Sequence, residues 1–152
     1  GFFFPKQRLE IGATVQHSLD EDRSNKYGFH FEQQPSSVPL DLRAEYAHGV
    51  EGSGFWIEPA YRLAQIPFSN SIMRKTQMVA RYQQFYAGDG TNDELPSVDT
   101  RMFESGINYY IADGLKVTAS YGREFSNNGN KNIWTVGVAY RWVLPLGSGG
   151  VQ

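Results

Sequence analysis

Cysteine is missing from the 152 residues, which removes disulfides, thiolate nucleophiles and cysteine-bound zinc together. No stretch of 18 apolar residues occurs, and the mean hydropathy is −0.47, so a membrane-spanning helix is excluded. A strand needs only about 9–11 residues, half of them polar, to cross the same distance, so crossing by strands stays open. An excess of charge is lacking too: 14 basic against 16 acidic residues leave −2 and a pI near 5.9, which does not point to nucleic acid as a partner. A chain of this length usually makes one domain or one small barrel. It begins at Gly1 with neither Met nor a basic, apolar leader, and reads as a processed mature chain or as part of a longer one.

What the sequence holds instead is alternation. Residues 40–48 are the clearest case, with Leu40, Leu42, Ala44 and Tyr46 on one side and Asp41, Arg43, Glu45 and Ala47 on the other, because strand side chains point to opposite faces in turn. The same period predicts strands at 9–17, 27–32, 55–64, 75–86, 103–111, 115–125 and 135–142. Turn-forming residues separate them, including the Ala112-Asp113-Gly114 hairpin and the Asn127-Asn128-Gly129-Asn130 loop. The expected fold is all-β, an antiparallel up-and-down transmembrane β-barrel of about eight strands within residues 9–144. Residues 1–8 are expected as a periplasmic segment and 145–152 as a tail outside it. With the end of the chain in the periplasm, the connections at 19–26, 48–54, 88–100 and 127–130 fall on the outer side, and those at 33–39, 65–74 and 112–114 on the inner. Pro59 brings no N–H to its ladder and calls for a bulge or local irregularity.

A soluble sandwich has the same period with its apolar face inward, so the polar face discriminates. That face is rich in small residues (Gly12, Thr14, Ala47, Ala60, Ala64, Gly106, Thr118, Ser120, Gly137 and Ala139), which suit a crowded interior better than open water. Aromatics near the predicted strand ends, Phe55, Tyr86, Tyr109, Tyr121, Trp134, Tyr140 and Trp142, are candidates for an interfacial girdle, with ordinary core aromatics as the alternative. The lumen-facing candidates are Arg43, Glu45, Glu58, Arg62, Arg81, Glu104, Lys116 and Arg141, and Glu10 and Asp41 share their face. Arginines in a row would draw anions through charge-assisted hydrogen bonds. The interleaved acids favour mutual neutralisation instead, because unpaired buried charge is costly, so strong anion selectivity is not expected. Nothing here calls for a cofactor or a metal.

The run Thr135 to Trp142 is similar to the assembly signal of bacterial outer-membrane proteins: a polar residue, a glycine two positions on, then aromatics at Tyr140 and Trp142. Four further blocks, Leu40-Asp41-Leu42-Arg43-Ala44-Glu45-Tyr46, Gly54-Phe55-Trp56 leading to Ala60-Tyr61-Arg62-Leu63, Val79-Ala80-Arg81-Tyr82, and Gly106-Ile107-Asn108-Tyr109-Tyr110, resemble the C-terminal half of the phosphate-selective porin O and P family. The resemblance implies a non-enzymatic channel for small hydrophilic solutes or ions in the bacterial outer membrane. It further implies a homotrimer, a barrel of about sixteen strands, contact with outer-membrane lipid and lipopolysaccharide, and insertion by the barrel-assembly machinery. This chain is less than half as long as that plan requires, so it is the last portion of such a porin or a small barrel of related pattern. An eight-stranded barrel fills its own lumen with side chains and would serve as a structural anchor or partner subunit.

The residues also offer two other chemistries. His17 and Ser18 before Asp20, with His30 beyond the next loop, supply the types used by lipid-modifying barrels as nucleophile and base, but neighbours in a strand point to opposite faces, which favours a solvated rim histidine. The acidic loops Asp20-Glu21-Asp22 and Asp89-Gly90-Thr91-Asn92-Asp93-Glu94 offer oxygens to a hard cation, without the spacing of a calcium loop.

Overall fold

The computed structural model describes residues 1–17, 25–49, 52–88 and 98–140. Nine strands form one antiparallel sheet in which each pairs with its neighbours in sequence. They are β1 (Phe2–Phe4), β2 (Leu9–His17), β3 (Asn25–Gln33), β4 (Leu40–Gly49), β5 (Gly52–Arg62), β6 (Thr76–Ala87), β7 (Thr100–Ala112), β8 (Leu115–Ser126) and β9 (Lys131–Tyr140). Two single-turn 3-10 helices, Leu63–Gln65 and Met73–Lys75, lie between β5 and β6. There Asn70 Oδ1 accepts hydrogen bonds from the backbone N–H groups of Ile72 and Met73.

The all-β, up-and-down expectation holds, whereas closure into a barrel does not: β1 and β9 are the edges of an open sheet. Phe2 pairs with Ile11 and Phe4 with Leu9, so Phe2–Phe4 of the segment 1–8 add a ninth strand to the sheet. That strand covers the edge of β2 which an eight-stranded closure would use. The last strand starts at Lys131, earlier than the expected 135, because Lys131 to Ile133 continue the ladder opposite Gly122 to Glu124. Arg141, Trp142 and the tail at 145–152 lie outside the described residues, as do the acidic runs at 20–22 and 89–94.

Connections at the lower end of the sheet are residues 5–8, 34–39, 63–75 and 113–114, and the turn at 127–130 lies at the upper end. The expected long connection at 48–54 is short, because Gly49 pairs with Gly52 and the ladder runs almost to its tip. Gly114 has φ +81 while Asp113 keeps a negative φ, so the hairpin is not type I′, which needs positive φ at both central residues. A register shift between Tyr110 and Ala112 accompanies it. Pro59 is absorbed more simply. Pairing of β5 with β6 stops after Ile57↔Tyr82 and resumes unshifted at Ala60↔Val79, so the missing N–H costs a local gap and no bulge.

Burial runs opposite to that of a water-soluble sheet. Among the described residues the one buried hydrophobic side chain is Ala60 (7% exposed), beside the buried polar pair Asp41 (8%) and Gln77 (6%). The apolar face lies open: Trp134 is 76% exposed, Val136 80%, Val138 71% and Ile107 51%. On β7, Met102, Glu104, Gly106 and Asn108 of the polar face are half-buried while Arg101, Phe103, Ser105 and Ile107 are exposed. The sheet therefore curls around its polar face. Its small residues make room for this: a Cβ on Gly12 would stand 2.0 Å from the His30 ring opposite, nearer than atoms can approach.

Candidate functional site

The hollow polar face holds the candidate site, a cavity of about 360 Å3 lined from β4 to β9 by residues that include Asp41, Arg43, Glu58, Arg62, Arg81, Glu104 and Lys116. Register places these side chains together. Arg43 pairs with Glu32 on one side and Glu58 on the other, and Arg81 pairs with Glu104. Glu58 falls opposite Arg81 in the unpaired gap at Pro59. Strands β3 to β7 thus carry a single transverse row of alternating charge: Glu32, Arg43, Glu58, Arg81, Glu104. In sequence the members are scattered over more than seventy positions.

Only part of this row is ion-paired. Arg43 Nη2 lies 3.4 Å from Glu32 Oε1, and both side chains are substantially exposed. Arg81 instead lays its guanidinium over the Trp56 ring, 4.4 Å from the centroid, a favourable cation–π contact. That draws it out of line with its acidic neighbours, and its Nε is buried without a hydrogen-bond partner. Glu104 accepts from the Ser120 hydroxyl. Lys116, at the lower end of β8, makes no ion pair with a described residue.

Below the row, a second set of contacts is fully paired. Arg62 donates to both Asp41 oxygens, Nη2 to Oδ1 at 2.9 Å and Nε to Oδ2 at 3.1 Å, in the bidentate geometry that suits guanidinium and carboxylate. Gln77 Nε2 donates to the same Asp41 Oδ2 at 3.0 Å. Its carbonyl oxygen accepts from Asn108 Nδ2 and Tyr110 Oη, both at 3.0 Å. Four strands are stitched together in this way, and the buried Asp41 is compensated. Glu45 stands higher on the same face, lining a second cavity of about 580 Å3 with His30, Lys26 and Trp56.

The aromatic candidates fall on the opposite face in two oblique lines. The upper line runs from Tyr27 to the pairs Tyr46–Phe55, Tyr82–Phe103 and Tyr121–Trp134, stepping two residues lower with each two strands. Ring contacts follow it, with Phe55–Tyr82 centroids 5.9 Å apart and Tyr121–Trp134 4.5 Å. The lower line contains Tyr61, Tyr109 and Tyr140, each six residues further along its own strand than Phe55, Phe103 and Trp134. Tyr86 stands above both lines. Tyr27, Tyr46, Tyr61, Tyr82 and Phe103 were missed as girdle positions because only the register aligns them.

His17 and His30 are not brought together: His17 Nδ1 bonds Asn25 Oδ1 at 2.6 Å, and His30 Nε2 lies 3.3 Å from Glu10 Oε1 on the other face. Ser18 and Asp20 lie outside the described residues. No group of three or more metal-binding side chains occurs among the described residues. Comparison with family models, with curated proteins and with solved structures finds no match for the chain.

Proposed function

We propose that this sheet is wall from an outer-membrane β-barrel of porin type, a passive diffusion channel for small hydrophilic solutes or ions, related to the phosphate-selective porins O and P. The observation that carries the reading is the inverted burial: an apolar face left open and a charged face turned inward. In water such a face is a large aggregation liability; against lipid chains it needs no further cover.

The slope of the aromatic lines supports the same reading. A step of one residue per strand, at about 3.3 Å rise and about 4.8 Å strand spacing, corresponds to a tilt of about 35°. Transmembrane barrel strands tilt by about 35–45°. At that tilt the outward positions from Phe103 to Ile111 of β7 span about 22 Å along the membrane normal, close to an apolar band of about 25 Å.

Strand direction supports a wider barrel over an eight-stranded one. Successive antiparallel pairing makes β1 and β9 run the same way, so they cannot close on each other antiparallel, and the wall takes further strands between them. A wider barrel leaves an aqueous passage. Its lining would be wet and mixed in charge, so solutes trade water for side-chain hydrogen bonds without strong preference for either sign. Trimeric assembly, delivery by the barrel-assembly machinery and the absence of catalysis belong to this same proposal.

Planar-bilayer recording tests it. Stable, ohmic conductance steps from the purified protein are expected. Membrane insertion without conductance would replace the channel by a filled structural barrel, in which β2 to β9 close after β1 leaves its edge.

A further inference from the structure

Every acidic residue in the strands points to the polar face: Glu10, Glu32, Asp41, Glu45, Glu58, Glu104 and Glu124. Among the described strand residues the outward face carries no acid, yet it carries two arginines. Arg101 and Arg123 lie on adjacent strands, Arg101 opposite Phe125 and Arg123 opposite Phe103. They are therefore diagonal neighbours, about 7–8 Å apart at Cα and within reach of one another's ligand. Both are exposed. Arg123 stacks on Phe125 with 5.4 Å from guanidinium carbon to ring centroid, and neither arginine has an acidic partner among the described residues.

Their flanks are donors as well. Gln84 pairs with Arg101 and Asn132 with Arg123. Tyr82 Oη donates to Gln84 Oε1 at 2.9 Å and Tyr121 Oη to Asn132 Oδ1 at 3.1 Å, so a tyrosine hydroxyl engages each amide oxygen, while the two NH2 groups make no hydrogen bond with a described residue. Two guanidiniums and two amide NH2 groups make a patch rich in donors, which matches phosphate oxygens, acceptors on every side. The four residues stand one outward position above the aromatic pairs Tyr82–Phe103 and Tyr121–Trp134.

We infer that Gln84, Arg101, Arg123 and Asn132 form a binding site for the phosphate of a membrane lipid headgroup, the acyl chains running down over the aromatic pairs beneath. The inference rests on the membrane reading above. The location selects lipid over free phosphate, because a ligand held at this height has its apolar part against Phe103 and Trp134.

The test is native mass spectrometry of the full chain in neutral detergent, titrated in turn with phosphatidylglycerol, phosphatidylcholine and inorganic phosphate, for the unaltered protein, the double variant R101Q/R123Q and the control K131Q. Lys131 is a base on the polar face at similar height. A basic residue at the membrane surface is worth about fivefold in affinity for anionic lipid, so losing both arginines should weaken phosphatidylglycerol binding about thirtyfold. K131Q should leave it unchanged, and inorganic phosphate should compete poorly. Equal phosphatidylglycerol binding by R101Q/R123Q and the unaltered protein overturns the inference, and so does binding of inorganic phosphate as tight as that of the lipid. Flotation with phosphatidylcholine vesicles separates this from failure of the membrane reading: a protein that stays out of neutral vesicles refutes that reading, whereas one that inserts with no phosphatidylglycerol preference refutes only the site.

Discussion

Placing an arginine halfway down the open face separates the membrane account from any account in water. Ile107 is the position of choice, four residues from Phe103 in the upper aromatic line and four from the outward Ile111 below. At a tilt of about 35° that puts its Cα about 11 Å from each, near the middle of the apolar band. An arginine at the midplane of a transmembrane barrel costs about 2–4 kcal/mol, falling to about 0–1 kcal/mol near the interface. Ile107 is 51% exposed, so in water I107R should cost no more than about 0.5 kcal/mol. The matched control is S53R, one outward position above Phe55, where the collar also holds His48, Gln84, Arg101 and Asn132. Reversible urea unfolding in phosphatidylcholine vesicles, followed by Trp fluorescence, measures both. I107R should lose at least twice as much stability as S53R; equal losses would refute the membrane placement of this face.

The strands were legible because their pattern is local. Leu9 to His17 is found with its expected bounds, and the alternation at 40–48 gives both faces of β4 correctly. The β1 strand was not, since Phe2-Phe3-Phe4 has no alternation and becomes a strand only by pairing with β2. The polar face was legible residue by residue, but its organisation was not. That Arg43, Glu58, Arg81 and Glu104 share one row depends on register across four strands, and that Arg81 prefers Trp56 to Glu58 depends on side-chain reach. The oblique aromatic lines were hidden for the same reason: strand ends are visible in a sequence, whereas the slope of a line across strands is not.

Three further outcomes follow from particular contacts. R62Q should cost about 1–3 kcal/mol in the same unfolding assay, because Asp41 would keep Gln77 but lose a bidentate partner while mostly buried; an unaltered midpoint would show the pair to be idle. G12V should cost about 1–3 kcal/mol by forcing the His30 ring aside, and H30A should recover most of it, so a loss unaffected by H30A would place the strain elsewhere. In bilayers, E58Q/E104Q should shift the reversal potential in a salt gradient toward anions, since Arg81 and Lys116 then face the cavity with fewer acids. No shift would remove these residues from the conducting path.

The central claim is that the apolar face meets lipid and the charged face meets water. With no native cysteine to interfere, single cysteines at 117 to 122 along β8, spin-labelled in vesicles, test it most directly through accessibility to oxygen and to a water-soluble nickel chelate. Labels at 117, 119 and 121 should favour oxygen and those at 118, 120 and 122 the chelate, in strict alternation. Alternation of the opposite phase, or chelate access at all six positions, would contradict the account.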